Sequence, residues 1–159
     1  MNKHFTRTLA LFLLIAALMT GFSSCTKYSF MSYDKKIIGQ WTFEKVMHKS
    51  GLLQQSVNIT RNYEHWTYDF KNNYTIVAIN SNTGERLSGT WRIDQYNDYY
   101  YDEDGITYTN TEYVLRFNLD DGRRSTNYVW NIGSITANYL RASEYVGNER
   151  WNYKMARVQ

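Results

Sequence analysis

From residue 37 onward the chain alternates apolar and polar side chains at every second position, the period of a strand with one buried face. Gly39, Trp41 and Phe43 fall on one face, with Gln40, Thr42 and Glu44 on the other. Trp66, Tyr68 and Phe70 share a face, and Tyr74, Ile76 and Ala78 continue it after Lys71-Asn72-Asn73. That tripeptide predicts a tight reversal, because Asn tolerates left-handed backbone angles. Asn82-Thr83-Gly84 predicts the next turn, followed by Leu87, Gly89, Trp91 and Ile93 on one face. Tyr113, Leu115, Phe117 and Leu119 alternate up to Asp120-Asp121-Gly122, a strong hairpin signal. Tyr128, Trp130 and Ile132 follow, with a turn expected at Gly133-Ser134. A short strand over residues 138–142, a loop over 145–148 and a last strand carrying Trp151, Tyr153 and Met155 complete the pattern. Residues 48–61 do not alternate and predict a loop or a short helix. Residues 95–110, tyrosine-rich and acidic, predict a long hairpin tip whose flanks extend the neighbouring strands.

These are about eight strands in sequential hairpins, each with one aromatic or apolar face. The expected fold class is all-β, an up-and-down antiparallel β-barrel of about eight strands. Closing the sheet on itself buries that face and removes exposed edges. A β-sandwich built from the same strands is the alternative. Composition points the same way. Fifteen tyrosines, five tryptophans and no proline suit half-buried strands.

The start of the chain follows another rule. Lys3 and Arg7 precede an unbroken apolar run at residues 9–19. That run falls short of the ~20 residues needed to span a bilayer and fits the core of a signal peptide. It ends at Phe22-Ser23-Ser24-Cys25, which holds the only cysteine. This ending resembles the lipobox of bacterial lipoproteins, with Phe22 where that pattern usually has Leu. The resemblance implies a diacylglycerol on the Cys25 thiol and cleavage between Ser24 and Cys25. An ordinary secretory signal that leaves Cys25 as an odd thiol is the alternative. The expected organisation is a signal peptide at 1–24, a lipidated N-terminus and tether at 25–36, and one barrel domain at 37–159. Removing Lys3 and Arg7 lowers the net charge from +3 to +1. No basic stripe points to nucleic acid. Thr26-Lys27-Tyr28 lacks the acidic run that resembles a surface-export signal in Bacteroidetes. The expected anchor is in the outer membrane, facing the periplasm, with surface exposure as the alternative.

Gly39-Gln40-Trp41 at the first strand resembles the G-x-W signature of lipocalins. The order Ile37-Ile38-Gly39-Gln40-Trp41-Thr42, Tyr68-Asp69-Phe70-Lys71-Asn72-Asn73-Tyr74, then Leu87-Ser88-Gly89-Thr90-Trp91-Arg92-Ile93 is similar to the small lipocalin-like lipoproteins of Bacteroidetes. Tyr128-Val129-Trp130-Asn131-Ile132, Asn138-Tyr139-Leu140 and Lys154-Met155-Ala156-Arg157 extend the resemblance over most of residues 37–158. It implies a Trp that plugs one barrel end beneath an Arg from near the end of the chain. Trp41 and Arg157 are the expected pair, with Arg150 the second candidate.

Catalytic patterns are sparse. His48 and His65 have no zinc-motif spacing, and there is no nucleophile elbow, phosphate loop or dinucleotide fingerprint. His65 alternates outward, and Glu64 shares the parity of Trp66, at a rim or facing a cavity. Asp98, Asp102, Glu103 and Asp104 cluster before Gly105, but an EF-hand count back from Gly105 puts Tyr100 at position 1. No metal, cofactor or enzymatic activity is expected. Two functions remain. A barrel holding a small apolar or amphipathic ligand would line its site with Trp66, Tyr68, Tyr113, Phe117 and Trp130. A barrel filled by its own side chains would instead meet an envelope protein through residues 95–105, where Tyr96, Tyr99, Tyr100 and Tyr101 offer a contact surface.

Overall fold

A computed structural model of the protein describes residues 31–101, 103–105 and 107–159. Ser24 and Cys25, the expected cleavage and lipidation site, lie outside the described residues, as do the signal peptide and Asp102. A one-turn helix, α1 (Tyr33–Ile37), precedes nine strands. They are β1 (Gly39–Lys49), β2 (Val57–Asn58), β3 (Trp66–Phe70), β4 (Thr75–Asn80), β5 (Arg86–Tyr101), β6 (Thr107–Asp120), β7 (Ser125–Ile135), β8 (Tyr139–Val146) and β9 (Glu149–Arg157). Every pairing is antiparallel, in the order β2-β1-β3-β4-β5-β6-β7-β8-β9, and β1 also pairs with β9. That last pairing closes eight strands into an up-and-down barrel, with β2 as an extra strand on the upper part of β1.

The inward faces follow the alternation. Trp41, Phe70, Ile76, Leu115, Leu140 and Met155 are fully buried, and Trp91 and Phe117 are nearly so. β5 and β6 run on as a two-stranded arm, pairing as far as Tyr101 and Thr107. Neither β4 nor β7 pairs with the arm residues. At its tip Gly105 takes φ 76°, a left-handed angle that suits glycine.

Several local expectations shift. Gly133-Ser134 is not a turn. It is a bulge in β7, where the register to β8 slips between Ile132 and Ser134. The chain reverses at residues 136–138 instead, and the Thr136 hydroxyl accepts the Tyr139 N–H at 3.0 Å. β8 runs on to Val146, so the loop expected at 145–148 shrinks to a turn at Gly147 and Asn148. In the reversal after β3 the left-handed residue is Tyr74 (φ 62°), not an asparagine. Residues 33–36, read as tether, are helical, and α1 buries Ile37. A further bulge in β1 between Phe43 and Lys45 resets its parity, so that Val46 faces in and Lys45 faces out.

These elements define two ends. α1 leads into the start of β1 and packs against β5 and β7, which lie across the barrel from β1. The helix therefore crosses and closes that end. The other end is ringed by the tops of β1, β8 and β9 and the residues between β1 and β3, where a 3-10 turn (Thr60–Asn62) lies against β1. Two bonds fix that turn: Ile59 N–H to the Val46 carbonyl at 3.0 Å and Val46 N–H to the Thr60 hydroxyl at 2.9 Å.

Candidate functional site at the open end of the barrel

The closed end is built around Trp41. Its indole N–H donates to the Ile37 carbonyl at 2.7 Å, and the Arg157 guanidinium carbon lies 4.3 Å from its ring centroid. The guanidinium also donates to the carbonyls of Lys36 (2.6 Å), Ile38 (2.7 Å) and Ala137 (2.7 Å). Gly39 makes room for it: φ is +128°, and a Cβ there would collide with Arg157 Nη1. The G-x-W glycine thus has a local physical reason. Arg150 lies elsewhere, over the Tyr145 ring at 5.2 Å.

Above Trp41 the barrel is filled with rings. Phe43, Tyr68, Phe117, Trp130 and Tyr153 are each at most 7% exposed. Trp130 stacks on Tyr153 at 4.5 Å and meets Phe117 edge-on at 4.9 Å, while Tyr68 meets Phe43 edge-on at 5.3 Å. Of the five candidate lining residues, Tyr68, Phe117 and Trp130 belong to this packed core. Trp66 is half-buried against it. Tyr113 is not near the open end. It lies at the closed end, stacked face to face on Tyr33 of α1 at 3.8 Å.

The open end holds groups that sequence reasoning missed. Glu144 follows Leu140 and Ala142 on the inward face of β8 and is only partly exposed. The Tyr153 hydroxyl donates to its Oε2 at 2.7 Å. Tyr63, from the turn beside β1, packs on Phe43 at 5.2 Å and near Tyr153 at 6.2 Å. Tyr128 stacks on Phe117 at 4.7 Å. Burial first, and the Glu144 charge as well, raise the pKa of Tyr63, Tyr68, Tyr128 and Tyr153 above the usual phenol value, so all four are neutral in ordinary buffers. The Trp130 indole N–H is buried and has no hydrogen-bond partner among the described residues.

At the rim, His48 stacks on Trp151 at 4.5 Å, and its Nε2 lies 3.0 Å from a Glu149 oxygen. His65 and Glu64 are exposed, 3.7 Å apart. Among the described residues no three His, Cys, Asp or Glu side chains gather as a metal-ligand set. Two open grooves of about 330 Å³ each lie outside the core, one over the outward residues of β5–β7 and one over those of β1, β9, β8 and β7. The chain matches no family model, no curated protein and no solved structure.

Of these groups only Glu144 left a signal. Glu144 has the parity of Leu140 and Ala142, but ending the strand at Ala142 hides it. His48 is inward only because of the bulge at Phe43–Lys45, and no sequence feature marks that bulge.

Proposed function

We propose that the chain is a lipid-anchored envelope protein of the lipocalin-like kind, which binds a small amphipathic molecule at the open end of its barrel and does not catalyse. The observation that carries this reading is the polar, partly exposed cup above the aromatic core, where the inward Glu144 carboxylate accepts the Tyr153 hydroxyl and Tyr63 and Tyr128 are half-buried. The packed rings below limit the ligand to the top of the barrel, which favours a small molecule over a long lipid chain. Native mass spectrometry of the protein from its host tests this. A retained small molecule, lost when the cup is disrupted by Tyr128→Ala, is the expected result. An empty barrel in every preparation overturns the reading. The anchor is tested separately: Cys25→Ser should abolish labelling by a radioactive fatty acid.

A second reading rests on the arm. Tyr96, Tyr99, Tyr100 and Tyr101 are 45–73% exposed on a hairpin with no neighbouring strand on either side. Such a surface suits an envelope protein partner. Crosslinking in the membrane from position 99 would detect it, and the ligand reading predicts no protein adduct there.

A further inference from the structure

The charge at the open end narrows the ligand class. This step rests on the open-end reading above. Glu144 turns a carboxylate inward, and among the described residues its one hydrogen bond is from Tyr153. Two other acids of the barrel strands have cations: Asp94 has Arg92 and Arg116, and Glu44 has Lys154. Among the described residues Glu144 forms no ion pair. Its partner Tyr153 belongs to a cluster of rings. Tyr153 stacks on Trp130, and Tyr63 and Tyr128 lie to either side of that stack through Phe43 and Phe117. Tyr63, Tyr128 and Glu144 are each partly exposed, so a solute reaches them from the open end.

A partly desolvated carboxylate with one neutral donor is stabilised by a cation. Aromatic faces carry negative quadrupoles that add to that attraction. An anionic amphiphile would set its headgroup against Glu144 and lose its water without return. We propose that the open end recognises a small organic ammonium ion on an apolar body. Glu144 is the counter-ion, and Tyr63 and Tyr128 are the walls that receive the ammonium and its first carbons. Below them the packed core stops the apolar tail after a few carbons.

Three probes of one shape isolate the charge: 2-phenylethylamine, 2-phenylethanol and 3-phenylpropanoate. Each is titrated calorimetrically into the full chain in discs of zwitterionic lipid, with protein-free discs as the blank. The amine is expected to bind about tenfold or more tighter than the alcohol, the size of one charge-assisted contact. The carboxylate is expected not to bind. Glu144→Gln should erase the advantage of the amine and leave the alcohol unchanged. Thermal melting of the variant shows that the barrel is intact. Equal binding of all three probes, or an amine affinity untouched by Glu144→Gln, overturns the cation proposal and leaves the open-end site standing. If none of the three binds, both are overturned.

Discussion

The two ends of the barrel treat their polar groups in opposite ways. At the closed end the Trp41 N–H has the Ile37 carbonyl, and the Arg157 guanidinium has three carbonyls and an indole face. Toward the open end the core Trp130 N–H has no acceptor among the described residues, and at that end the Glu144 carboxylate has one donor and no cation among them. Both ends use the same materials, tryptophan and a charged side chain. The difference lies in completion. A satisfied network makes one end rigid and specific to a single arrangement. An unsatisfied one leaves free energy for a ligand to recover. Stability is therefore expected to concentrate at the α1 end and recognition at the other.

Breaking the closed end should have the largest effect. Trp41→Ala removes a fully buried indole, its hydrogen bond and the surface beneath Arg157. Large-to-small core changes of this kind cost ~3–5 kcal/mol. Urea unfolding should show the barrel close to collapse, since whole domains are held by only ~5–15 kcal/mol. A loss below about 1 kcal/mol would mean that the closed end is not the stabilising region.

Arg157→Lys is a finer break. It keeps the charge and removes the planar fork, which alone reaches three carbonyls from two segments. The expected cost is ~2 kcal/mol, the scale of a charged hydrogen bond with its carbonyl partners stranded. Gly39→Ala in the lysine background should then cost less than in the parent, because the Cβ would no longer meet Nη1. Additive losses would mean that the glycine serves only its backbone angle.

Alkali should act through the core tyrosines at and below the open end. Tyr68 and Tyr153 are at most 7% exposed, and burial pushes both phenols well above the ordinary value of 10.0. The folded state therefore holds their protons more tightly than the unfolded chain does. Their contribution is fully present below pH ~10 and falls as pH rises beyond it, by about 1 kcal/mol per unit for each group. Urea melts between pH 9 and 11 should show this loss, and Tyr68→Phe should make it shallower. An unchanged slope in that variant would place the alkaline sensitivity elsewhere.

The same contrast explains what was legible in the sequence. Period-two patterning carries the barrel, because a buried face forces every second side chain inward from Trp41 to Met155. Trp91 and Phe117 are buried for that reason alone. The Trp41–Arg157 contact was readable only through the lipocalin resemblance, since nothing in the spacing brings the two residues together. What escaped depends on backbone events that leave no period. The bulge at Phe43–Lys45 rotates His48 inward, and the bulge at Gly133 replaces a turn. The longer β8 then carries Glu144 into the open end. Tyr113, a candidate lining residue, lies at the closed end, because alternation fixes a face and not a height. Its stack on Tyr33 required α1, whose residues looked like tether.

The smallest effect, and the most discriminating one, is on stability at Glu144. Glu144→Gln keeps an oxygen to accept the Tyr153 hydroxyl and removes a negative charge facing aromatic rings. Taking a charge out of a half-desolvated position with no cation relieves a cost, while the amide retains the bond. The expected change is within about 0.5 kcal/mol of zero or slightly stabilising, as when a functional residue is replaced by a neutral isostere. Glu144→Leu should do worse than Glu144→Gln, because it strands the buried Tyr153 hydroxyl. Urea unfolding at pH 7 resolves the three proteins. A loss above about 1 kcal/mol in Glu144→Gln would make the carboxylate a structural group, like Arg157 at the other end. The open end would then be as complete as the closed one, and the contrast on which the binding site rests would vanish.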